Sequence, residues 1–164
     1  MKPMPTTEFL ARIEGNWNAA RPDLNPEPML TVIAVQRTSG LLQAELETFF
    51  AQHDLTPSAF DVLATLRRSA PPQGLTLGEL AALMAITPPA VTKRVDALTG
   101  RGLIERLPDR QDRRAIRARL TAAGFEAVDS LVTAHLANEE RLLSDLSSDE
   151  RRMLRTLLGR IQPT

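Results

Sequence analysis

Residues 75–124 read LTLGELAALMAITPPAVTKRVDALTGRGLIERLPDRQDRRAIRARLTAAG, and this stretch decides the fold. Thr76 can cap a short helix ending near Met84, because its hydroxyl accepts an orphan N–H of the first turn. About three residues later Thr87 and Pro88 open a second helix, to about Arg101; proline suits the first helical position, where its missing N–H costs nothing. Gly102 then ends it in the left-handed conformation that a Cβ disfavours. Beyond that glycine the apolar period changes. Residues 103–106 read as one strand and 115–120 as another, with Ile116, Ala118 and Leu120 alternating against Arg117 and Arg119. Residues 108–114 form a polar, arginine-rich turn between them. Two short helices joined by a tight turn and followed by a basic hairpin make a winged helix-turn-helix.

Outside this stretch the patterning is helical. A first helix is expected from Thr6 or Thr7 to about Ala20, then a break at Pro22, Pro26 and Pro28. Asn25 before Pro26 opens a long helix to about His53, and Thr56 with Pro57 opens another that ends near Ser69, before Pro71 and Pro72. Further helices follow Thr121 and Ser147, the latter with Glu150 in capping-box spacing. The expected fold class is mainly α with a small β-hairpin wing. Residues 1–54 are expected to serve dimerisation and part of a ligand pocket, 55–121 to bind DNA, and 122–164 to dimerise. Leu131, Leu142, Leu143, Leu146, Leu154, Leu157, Leu158 and Ile161 supply more apolar surface than one small lobe can cover, which predicts an interlocked homodimer.

A net charge of zero conceals an uneven distribution. Residues 88–119 hold nine basic side chains against four acids, a surplus of five, so the remainder carries a matching negative excess. A basic patch on an acidic body suits a phosphate-binding surface, although a solvated face would have the same composition. With no cysteine, disulfides, cysteine-based zinc sites and thiol sensing are excluded. His53 and His135 are the only histidines, lie far apart, and read as surface or helix-end residues rather than zinc ligands. Neither a nucleophile motif nor a phosphate-binding glycine loop is present, so no enzyme and no cofactor are expected. With no apolar run of membrane-spanning length and no leader-like start, a cytoplasmic protein without membrane association is expected.

The second short helix places Val91, Val95 and Leu98 on one apolar stripe. Thr87, Pro89, Ala90, Thr92, Lys93 and Arg94 remain free to enter a major groove. The whole stretch resembles the core of the multiple-antibiotic-resistance regulator (MarR) family. The likeness rests on RGLIER at 101–106, on the wing pattern of Asp109, Arg110, Asp112 and Arg114, and on the closing Leu120, Thr121 and Gly124. It implies a winged-helix regulator, generally a repressor, on a pseudo-palindromic duplex operator. On that reading Arg114 enters the minor groove, Asp112 orients its guanidinium, and Arg110 and Arg113 meet phosphate or groove.

The urate-responsive branch of that family is resembled in particular. Trp17, Asp61, Arg94 and Arg106 match the set that surrounds a planar anion there, the last three spaced 33 and 12 positions apart. Arginine forks suit a flat oxyanion, and an indole face can stack on a purine. Each residue also has a structural reading: core anchor, salt-bridge acid, DNA contact, wing surface charge. A regulator answering to phenolic carboxylates or to no ligand, and a winged-helix module that binds protein instead of DNA, remain as alternatives.

Overall fold

The computed structural model describes residues 4–109, 112 and 114–161. In chain order the elements are α1 (Thr6–Ala20), α2 (Glu27–Ala51), α3 (Pro57–Ser69), β1 (Leu75–Thr76), α4 (Leu77–Met84), α5 (Pro88–Gly100), β2 (Ile104–Pro108), β3 (Ile116–Leu120), α6 (Ala122–Leu142) and α7 (Ser148–Leu158). Mostly helical with a small sheet is the architecture the sequence predicts. The chain divides into two compact units, Met1–Thr48 and Phe49–Thr164.

The predicted start signals operate at most helices. Thr56, Thr76, Thr121 and Ser147 each accept a first-turn N–H, and Thr76 with Glu79 and Ser147 with Glu150 form complete capping boxes. The first helix departs from expectation. Its N-cap is Pro5, and neither Thr6 nor Thr7 caps it through a side chain. The largest difference lies in the wing, where three antiparallel strands in the order β1-β3-β2 replace a simple hairpin. β1 has two residues, Leu75 and Thr76, paired with Ala118 and Arg117, and so short a strand shows no alternation. The second strand also continues to Pro108, opposite Ile116, into the segment expected to turn.

In the second unit α3 is the hub, packing against α4, α5, α6 and β3. Val62, Leu63, Leu80, Val91, Val95 and Leu98 fill the centre at no more than 1% exposure. Each such side chain contributes roughly 1.5–3 kcal/mol by leaving water. The register of β3 against β2 pairs Ile104 with Leu120, and both are buried. His135 corrects the reading of it as a surface residue. Its ring lies 5.0 Å from those of Phe50 and Phe60 and 5.9 Å from Phe49, with Nε2 3.3 Å from Glu139. Among the described residues no cluster of three potential metal ligands exists.

The first unit has little core of its own. α1 buries no residue, and Leu24, Met29, Val32, Val35 and Leu41 are all exposed. Arg37 ties its two helical segments by donating to the Met4 carbonyl at 2.6 Å and lying 4.4 Å from the centroid of the Phe9 ring. No described helix is long and apolar enough to cross a membrane.

Two glycines have steric reasons. Gly102 sits at φ +71°, as the end of α5 requires. Gly124, in the first turn of α6, lies so close to the Leu103 carbonyl that a Cβ would overlap its oxygen. That carbonyl also accepts the Thr121 N–H at 3.1 Å, so it cannot give way freely. Gly124→Ala should therefore lower unfolding stability by at least about 2 kcal/mol, measured by urea titration. A midpoint unchanged from wild type would show that the approach is not tight.

Candidate nucleic-acid interface

α5 turns its stripe of Val91, Val95 and Leu98 into the core and leaves the opposite side to solvent. Thr87, Pro89 and Lys93 are exposed, while Ala90, Thr92 and Arg94 are half-buried. Pro88 and Pro89 occupy the first helical positions and have no N–H. Two of the donors that a helix N-terminus ordinarily aims at an anion are therefore missing, which leaves side chains as the chief anion donors at this end of α5. The Thr87 hydroxyl makes no capping bond. Thr92 instead donates to the Pro88 carbonyl at 3.1 Å, so its hydroxyl is partly occupied.

The tight turn before α5 is held by backbone bonds, with Ala85 left-handed and Ile86 N–H donating to the Ala81 carbonyl at 3.2 Å. At the wing, the polar turn is built on aspartates. Asp109 Oδ1 accepts the Asp112 N–H at 2.8 Å, and Asp112 Oδ1 accepts the Arg114 N–H at 2.9 Å. The Asp112 carboxylate thus shapes the turn through the Arg114 main chain, in place of the expected pairing with the Arg114 guanidinium. A two-residue separation favours that bond, because the short carboxylate reaches the second N–H onward without strain. Arg114 is exposed. Arg110 and Arg113, also expected at this surface, lie outside the described residues.

Arg117 is the anchor beneath the turn. Its guanidinium pairs with Asp109, donates to the Gly74 carbonyl at 2.8 Å and stands 3.6 Å from Glu79. The two paired side chains are only 17% and 6% exposed. Glu79 is at once the capping-box acid of α4, and the Thr76 N–H and hydroxyl hold its carboxyl below the usual range. β3, the end of β2, the chain before β1 and the start of α4 therefore meet at one cation. Two more arginines are paired, Arg119 with Glu105 at 2.8 Å and Arg106 with Asp96 at 2.5 Å.

These pairs sort the basic segment without reducing its surplus, since each removes one charge of either sign. What is left without a carboxylate partner among the described residues is Lys93, Arg94, Arg101 and Arg114. Arg101 is partly committed, donating to the Asp54 carbonyl at 2.5 Å. Among the described residues of 88–119, the cations with no such partner and no main-chain commitment of the guanidinium or ammonium are thus Lys93 and Arg94 on α5 and Arg114 at the wing turn.

The four residues expected to hold an anion lie on four elements, Trp17 in the first unit and the other three in the second. Trp17 is half-buried on α1, in the first unit, where it lines an apolar hollow of about 320 Å³ with Ile13, Asn16 and Ala20. Asp61 is half-buried on α3, and Arg94 on α5. Among the described residues neither the Asp61 nor the Arg94 side chain has a hydrogen-bond or ion-pair partner, and the partner of Arg106 is Asp96.

The family model described as MarR family matches residues 53–115. PecS of Dickeya dadantii, an HTH-type transcriptional regulator, is 36% identical over 146 residues, covering 89% of this chain and 88% of that protein. This chain belongs to the MarR family. The multiple antibiotic resistance protein MarR of Escherichia coli is 31% identical over 121 residues, 72% of this chain and 81% of that one. Among MarR-family structures, Staphylococcus aureus MepR, solved as a DNA complex, superimposes with a TM-score of 0.69 at 26% identity. That match covers 76% of this chain and 90% of MepR.

Sequence reasoning missed Asp96 and misread Arg117. Arg117 alternates with apolar residues and reads as a polar-face cation. With the β2–β3 register in hand, Asp109 becomes its diagonal neighbour across the strands. Arg117→Met should leave Asp109 without its guanidinium and lower stability by about 1.5–3 kcal/mol. Chemical denaturation checks this, and an unchanged midpoint would mean that Arg117 is an ordinary surface cation.

Proposed function

We propose that this MarR-family chain is a homodimeric DNA-binding transcriptional repressor whose operator binding is relieved by a small planar anion of the urate type. The observation that carries the DNA-binding part is the sorting of charge, which leaves Lys93, Arg94 and Arg114 without carboxylate partners among the described residues. Thr87, Pro89, Ala90, Thr92, Lys93 and Arg94 read the major groove from α5. Arg114, with Arg110 and Arg113, serves the minor groove and flanking phosphates. Two copies on a pseudo-palindromic operator place these helices about one turn of duplex apart.

The dimer reading is supported by apolar surface that a single chain leaves wet. α7 buries no residue and exposes Met153, Leu154, Leu157 and Leu158. Arg151 fixes the turn that launches α7, donating to the carbonyls of Leu143 and Leu146, each at 2.9 Å, and to Glu140 at 2.5 Å. That bond keeps the Glu140 carboxyl below its ordinary range.

The ligand reading is supported by chemistry and by the resemblance. Arg94 and Arg106 offer forks to a planar oxyanion, Asp61 would be repelled by it, and Trp17 enters on the resemblance alone. Urate should accordingly quench Trp17 fluorescence and weaken operator binding, with coupling of about 1–3 kcal/mol. Arg106→Ala should lose most of that response. Arg114→Ala should weaken operator binding by about 1–3 kcal/mol while the oligomeric state is unchanged. If urate and xanthine leave fluorescence and operator affinity as they were, the ligand reading fails. If the chain shows no salt-dependent duplex binding, the DNA reading fails in favour of a protein-interaction module.

A further inference from the structure

Arg106 already has a partner. Its Nη1 is 2.5 Å from Asp96 Oδ1, and the pair joins the middle of α5 to β2 at one-third and one-half side-chain exposure. Arg94 lies two residues before Asp96 on the same helix, and residues two apart project about 200° apart around the axis. An arginine held by Asp96 is thus drawn to the side of α5 facing away from Arg94. An anion held by Arg94 and Arg106 together therefore draws the Arg106 guanidinium away from Asp96.

From this exchange we infer that Asp96 is the residue that converts anion binding into loss of DNA binding, a proposal that rests on the ligand reading above. The anion takes Arg106 from Asp96, which leaves an uncompensated carboxylate on the exposed face of the DNA-reading helix. Lys93, three residues earlier on that face and without a carboxylate partner among the described residues, is the nearest cation along the helix for it to pair with. The release therefore subtracts one positive charge from the phosphate-binding surface, because the uncovered carboxylate neutralises Lys93. It also removes one side-chain tie between α5 and β2. No large movement is required, because the pair is partly exposed and such pairs are weak enough to be exchanged.

Competition for Arg106 and transmission to DNA can be separated in one experiment on the full-length chain. Calorimetry gives the urate affinity, and operator titration with and without urate gives the response, for wild type, Asp96→Asn and Asp96→Glu. Asp96→Asn should bind urate about two- to fivefold more tightly, since Arg106 is freed from a partly exposed pair. Its operator affinity should change less than about twofold on adding urate, because linkage makes the coupling vanish in both directions at once. Asp96→Glu keeps the charge and the pairing and should respond nearly as wild type does. Asp96→Asn with wild-type urate affinity, or with a full operator response, overturns the inference while leaving the ligand reading intact. If neither wild type nor Asp96→Asn binds urate, the ligand reading itself falls and takes this inference with it. If only Asp96→Asn binds, Asp96 blocks the site in place of switching it, and the inference is overturned.

Discussion

The pairing of Arg117 with Asp109 is the constraint on which the arrangement of the wing and the start of α4 depends. An arginine and an aspartate with this little exposure are held by satisfied geometry, and the guanidinium donates in addition to the Gly74 carbonyl. From that point a series of bonds runs both ways. In one direction it reaches Glu79 and the capping box of α4, which precedes the DNA-reading helix in the tight-turn pair. In the other it passes through Asp109 and Asp112 to the main chain of Arg114. The wing turn and the helix pair are thus referenced to a common, largely covered cation, so that the two keep a fixed relation within the unit.

The same logic explains how an electrically neutral chain can address a polyanion. Attraction to phosphate depends on where unpaired cations lie, not on the sum over the chain. Among the described residues, three arginines of the basic segment are spent on carboxylates within the fold, and those left without such a partner on α5 and the wing turn face solvent or its edge. The proline pair at the start of α5 strengthens this dependence on side chains, because it withholds backbone donors from that end of the helix.

Much of this architecture is legible in the sequence because it is written in local chemistry. Thr76, Thr87 with Pro88, Gly102, Thr121 and Ser147 announce helix ends through caps, ring constraints and φ preference, all of which act within a few residues. What escapes is long-range or very short. β1 is two residues paired across the sheet, with no period to detect, and the bond between Arg117 and Asp109 appears only once strand register is known. Asp96 sits ten positions before Arg106 with nothing in its spacing to advertise the pairing. Asp112 is visible as a wing residue, but its preference for a nearby main-chain N–H over a neighbouring guanidinium is settled by turn geometry. Gly124 is visible as a motif position, and only the packing supplies its reason, the Leu103 carbonyl against the first turn of α6.

On the proposed function, ion pairing divides the arginines and lysines of one segment into structural and DNA-binding groups. The most direct measurement is the salt dependence of duplex binding for Lys93→Ala set against Arg119→Ala, each compared with wild type. Lys93 has no carboxylate partner among the described residues, so its removal should flatten the logarithmic salt slope by roughly 0.9 for each phosphate that it neutralises. Arg119, bound to Glu105, should leave the slope as it is. Equal flattening by both variants, or a flattening by Arg119→Ala alone, would contradict the division.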